Sequence, residues 1–160
     1  MDSGRAAAGL RTVFSVSYGQ RLAPNVIAGT WGAAAAAWRE DWDGFDVLLG
    51  DALANEACAN AWATAAITST AALLRLIEVD AAFLQESSRY QFAEAVTKTL
   101  DGDAQGAREC ITDEINAFGT GVVLGQALGG LTLAAALAAD LRDLDVYHLL
   151  QRMCSVASGL

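Results

Sequence analysis

Carboxylates spaced as if for a cation are the first residues in this chain with chemistry to offer. Asp101, Asp103 and Glu109 fall at positions one, three and nine of the segment DGDAQGARECIT, with Gly106 at position six. That is the spacing of a calcium loop between two helices, where a turn at the glycine lets oxygens from both arms close on one ion. Position eight is Arg108, where a branched apolar residue belongs, and position twelve is Thr112, where a bidentate acid closes the site. Without that acid a hard cation loses two oxygens. A corner between two helices accounts for the same residues, and no metal is expected. Asp41, Asp43 and Asp46 form a second acidic group, read as a solvated turn between helices.

Nucleophiles are no better placed. His148 is the only histidine, and Cys58, Cys110 and Cys154 are widely separated with no Cys-x-x-Cys pair. Zinc, haem-attachment and thioredoxin-like sites therefore fail on ligand count. Free thiols in apolar helical contexts favour a cytoplasmic or other reducing compartment. No Gly-x-Ser-x-Gly elbow occurs, nothing ties Cys154 to His148, and Gly129-Gly130 lacks the Lys-Ser/Thr of a phosphate loop. Asp113 and Glu114 are neighbours in sequence and are expected on the wet side of a helix. No catalytic residue and no cofactor follow from these patterns. Trp31, Trp38 and Trp42 share one face if a single helix carries all three, either to pack on a neighbour or to wall a flat apolar ligand or pigment.

The elements that position these residues are helices. Hydrophobic residues make up 54% of the 160, and much of that is alanine, the strongest helix former. Pro24 is the only proline, so little forbids helix after it. A mean hydropathy of +0.31 is high for a water-soluble chain. The formal net charge is −9. That balance excludes a nucleic-acid footprint and disfavours anionic membrane surfaces.

Residues 1–22 stand apart, with Arg5, Arg11 and Arg21 against the single acid Asp2. They read as an N-terminal arm resembling a targeting segment, or as an ordinary amphipathic helix or short strand. Residues 23–160 read as one helical domain. A helix is expected from Pro24 to about Glu40, and an uncharged, polar-flecked one over 57–74. Amphipathic helices follow over 73–84, 88–100, 109–118 and 143–157, with a capping box at Ser88 and Gln91 and a stop at Gly159. Gly102 reads as the left-handed residue ending one helix and Asp103 as the cap of the next.

Ala117–Ala139 runs twenty-three residues without a charge. Within it Ala117, Gly121, Gly125 and Gly129 recur every four residues and lie along one helical ridge. A ridge without side chains lets another helix backbone approach closely. The expected fold is all-α, a compact multi-helix bundle around this uncharged Gly/Ala-rich helix at about 120–139. The stretch is long enough to span a bilayer, yet its large apolar side chains are few, which favours a soluble core.

Trp42-Asp43-Gly44 between two helical stretches, with Tyr90 and Glu94 after the second, resembles the WXG-type helical hairpins of type VII secretion. The intervening helix is far more apolar than in those hairpins, and the chain after Glu94 has no counterpart. The reading carried forward is a non-enzymatic protein that works by helix–helix packing with a protein partner or a second copy. A membrane-embedded accessory subunit and a carrier of a flat apolar ligand are the alternatives.

Overall fold

The computed structural model describes residues 24–79 and 92–158. The N-terminal arm, the Ser88/Gln91 capping box, Tyr90 and the Gly159 stop lie outside them. The described residues fold into seven α-helices and no strands: α1 (Pro24–Trp38), α2 (Trp42–Ala52), α3 (Glu56–Leu76), α4 (Phe92–Leu100), α5 (Ala104–Phe118), α6 (Thr120–Arg142) and α7 (Val146–Ser158). The expected all-α bundle is present.

Four of the helices end in the same way. After α4, Gly102 takes φ +83° and the Asp103 N–H reaches back to the Lys98 carbonyl, closing the last turn as the sequence predicts. Glu40, Glu78 and Asp143 take the equivalent left-handed position after α1, α3 and α6, with φ of 59°, 57° and 54°. The next residue's N–H in each case bonds a carbonyl five back: Asp41 to Ala36, Val79 to Leu74, Leu144 to Ala139. After α1, α4 and α6 these tight ends leave connections of three residues, so each of those helices folds back against the next.

Two helices start alike. The Asp41 carboxylate accepts the Gly44 N–H at 3.1 Å and the Asp103 carboxylate accepts the Gly106 N–H at 2.9 Å. Asp-x-x-Gly is thus a capping device used twice, with the carboxylate lying directly over a glycine that has no Cβ to crowd it. It corrects the reading of Asp41–Asp46 as a loop: Trp42, Asp43 and Gly44 form the first turn of α2. The likeness to a WXG turn between helices loses its structural basis for the same reason.

The core is built on α3 and α6. Most of α3 is buried; Thr68 and Thr70 each donate to the carbonyl four residues back, at 2.7 Å, while the buried Ser69 hydroxyl between them finds no partner among the described residues. Asn55 caps its start by accepting the Cys58 N–H. α6 buries one side only, through Val123, Leu124, Leu128, Leu131 and a row of alanines that includes Ala134 and Ala138. α3 is therefore the more enclosed of the two long apolar helices. The α4–α5 hairpin packs across α3 and is tied to it by the Arg75 guanidinium, which donates to the Leu100 carbonyl at 2.6 Å. On the other side α1 lies antiparallel to α7, since Cys154 bonds Ala28 while Arg39 stacks on Tyr147 at 4.5 Å.

Candidate functional site

The glycine ridge, the strongest interface candidate in the sequence, faces away from the bundle. Gly121 and Gly125 are exposed, and Gly129 and Gly130 are only partly covered. A methyl group added at any of the four would meet nothing beyond its own turn within 4 Å. Among the described residues no other helix reaches the ridge. The close approach to α3 is made by alanines and leucines on the opposite side of α6. Ala117 is not part of the ridge, because the helix breaks at Gly119 (φ +87°) and Ala117 stays exposed at the end of α5. Val122 (49% exposed) and Leu133 (40% exposed) flank the glycines. Together they form an apolar, shallow strip along a helix about 34 Å long.

The carboxylates read as metal candidates do not converge. Asp103 is engaged as the α5 cap, Glu109 accepts a hydrogen bond from Gln105 at 3.2 Å, and Asp101 is exposed at the end of α4. Among the described residues no group of three or more His, Cys, Asp or Glu is placed to hold a metal ion. Glu114, expected on the wet side of α5, is instead 5% exposed. Burial, and then the neighbouring Asp113 charge, push its carboxyl above the ordinary value.

The three tryptophans do not make one wall. Trp31 is fully enclosed in the core, and its indole N–H finds no partner there. Trp38 and Trp42 are about half exposed on either side of the α1–α2 turn. Trp42 meets Phe45 edge to face at 5.7 Å. All three cysteines are free thiols, and burial pushes the Cys110 and Cys154 thiols up from their ordinary value.

One concavity escapes sequence reasoning. A cleft of about 560 Å³ opens between the second half of α1, the start of α2 and one face of α7. Its floor is small and apolar: Gly32, Ala35 and Ala36 from α1 with Leu48 from α2. Its polar wall comes from α7, through His148, Gln151, Arg152 and Ser155. Tyr147 and Asp41 close one end, where Arg39 lies over the Tyr147 ring. Only tertiary pairing reveals it, since Ala28 and Cys154 are 126 residues apart in sequence.

No protein-family model matches this chain, and no curated protein and no solved structure matches it either.

Proposed function

We propose that this is a non-enzymatic assembly protein that associates with a helix of a partner through the outer face of α6. One observation carries the reading: four glycines stand inside a helix where none of the other described residues makes use of their missing side chains. Each such glycine costs about 0.8–1.0 kcal/mol relative to alanine. A cost repeated along one face, beside exposed Val122 and Leu133, is what a closely packed partner helix would offset. The outer face is also free of charge from Gly121 to Leu137, so an apolar partner meets no ion to desolvate there.

The test is photo-crosslinking in cells that express the protein. A crosslinker at Val122 or Leu133 should give one discrete adduct that disappears with Gly125→Leu, while one at exposed Glu109 gives none. Mass analysis of the adduct then separates a second copy from a different protein. Equal, diffuse labelling at all three positions would sink the proposal.

A membrane-embedded accessory subunit is the second reading. It is favoured by the α6 segment, whose mean hydropathy of 1.8 and half-buried surface contrast with α3 at 1.2 and 78% buried. Recovery of the whole chain in the soluble fraction without detergent would exclude it.

A further inference from the structure

We infer that the partner of α6 is the α6 of a second copy, crossing antiparallel to it about a two-fold axis level with Leu131. This rests on the proposed role of the outer face of α6, and adds the occupant and its direction. A row of six residues spaced by four runs along that face: Gly121, Gly125, Gly129, Leu133, Leu137 and Leu141. Residues so spaced lie on one inclined ridge of a helix. The first half of this ridge has notches and the second half has knobs. It stands on the outside of the bundle. Leu133 and Leu141 are 40% and 54% exposed, and Leu137 is partly covered. A methyl group at any of the three glycines would meet open space among the described residues.

Glycines alone would admit any smooth helix. The leucines select one, because a matching ridge must offer knobs and then notches in the reverse order. α6 has that order when turned end for end. In the antiparallel pair, Leu133, Leu137 and Leu141 of each copy fall on Gly129, Gly125 and Gly121 of the other, as an isologous contact requires. A parallel pair sets each residue against itself. Leucines would then hold the axes apart at one end and leave a gap over the glycines at the other, where contacts are forfeited.

Two ridges of this kind bring their helices together at a crossing angle of about 50°. Gly129 with Leu133 and Gly125 with Leu137 make the central contact, and the helices diverge towards Gly121 and Leu141. Exposed Asp140 and Arg142 therefore keep their water, and no charge is buried. Even half the surface of a helix about 34 Å long and about 10 Å across is roughly 500 Å² per copy, ~1,000 Å² in all. That is the range of reversible association, which suits a chain whose core forms within one copy. Both copies carry a formal net charge of −9, so salt should relieve their repulsion.

The test begins with sedimentation equilibrium of the purified full chain from micromolar to submillimolar concentration. A reversible dimer is expected, at least tenfold weaker for Gly129→Leu, whose new side chain meets open space in its own chain. Raising salt from about 0.01 M to about 0.15 M cuts the screening length from about 30 Å to about 8 Å and should tighten the dimer. Direction is read by oxidative crosslinking of Gly125→Cys and Leu137→Cys, each checked for folding by circular dichroism. The unaltered chain controls for the native cysteines. A mixture of the two variants should give a reducible heterodimer. Either variant alone should match the control, since like positions lie about 18 Å apart along the helix. A second pair, Gly121→Cys with Leu141→Cys, bridged by a short bismaleimide, repeats the reading at two exposed positions.

Self-crosslinking of Gly125→Cys would overturn the antiparallel arrangement and leave α6 as the association face. A chain monomeric throughout would overturn the second copy as occupant, leaving a different protein as the partner of α6. A dimer that salt weakens is held by ion pairs, which would overturn the apolar contact. A dimer unaffected by Gly129→Leu would overturn this inference and the α6 reading together.

Discussion

The backbone of Gly29 in α1 lies directly against the six-membered ring of Trp62 in α3. A Cβ at Gly29 would overlap Trp62 Cη2 and come within 3.0 and 3.1 Å of Cζ3 and Cζ2. Among the described residues it is Gly29, and not the ridge of α6, at which the packing of one helix on another depends on a missing side chain. Gly29→Ala is expected to destabilise the protein by roughly 1–3 kcal/mol from overpacking, less about 1 kcal/mol regained in helix propensity. Trp62→Phe removes the ring atoms in question. In a double-mutant cycle by urea denaturation the two changes should couple strongly, and additive effects would mean that the ring swings aside at little cost.

Gly125→Ala is expected to act in the opposite direction. With open space around Gly125, the isolated chain should gain about 1 kcal/mol of stability from the better helix former. The measurement is the shift in denaturation midpoint for the dilute, purified protein. Destabilisation of a species shown to be monomeric would mean that the face is occupied within the chain after all.

Glu40, Glu78 and Asp143 hold left-handed backbone positions that cost a non-glycine residue roughly 1–2 kcal/mol. Each is also an acid at a helix C-terminus, where the helix dipole favours positive charge. Glu78→Gly should therefore raise stability by about 1 kcal/mol, since both penalties vanish while the Val79-to-Leu74 hydrogen bond stays. Thermal unfolding of Glu78→Gly beside Glu56→Gly, a first-turn acid, separates the effect from a general response to lost charge.

The sequence discloses what is set locally. The Gly102–Asp103 junction is readable because the left-handed residue and the cap are chosen within one turn. The same Asp-x-x-Gly device at Asp41 is concealed by Asp43 and Asp46, which look like a solvated loop. Which side of α6 faces inward is hidden for a different reason. That helix is apolar all round, so periodicity expresses no preference, and the orientation is settled by alanines meeting α3. Glu114 shows the converse, a charge that local patterning assigns to solvent and tertiary packing encloses. The cleft lies furthest from reach, because α1 and α7 meet only in the folded chain.

Asp103 distinguishes a cap from a cation ligand. Asp103→Ala should cost about 1 kcal/mol by leaving the Gly106 N–H unsatisfied at the start of α5. The loss should be the same with millimolar calcium as with a chelator, because Asp101 and Glu109 do not join Asp103 in a cluster. A calcium-dependent midpoint in the unaltered chain, abolished by Asp103→Ala, would restore the metal reading.

Glu114 should make stability depend on pH. Its carboxyl is raised above 4.5, first by burial and then by Asp113. For an acid raised in the folded state, the favourable contribution is complete below the unfolded value, where both states are protonated. It is lost as pH rises through the folded value, because folding must then either retain the proton or bury the charge. Glu114→Gln keeps the shape and removes the charge. The variant should match the parent near pH 4 and exceed it in stability at pH 7, with the gap opening over the interval just above the ordinary carboxylate range. Denaturation midpoints measured across that interval check the sign. A gap that narrows as pH rises would mean that the charged carboxylate is stabilised in place, and that burial does not dominate at this site.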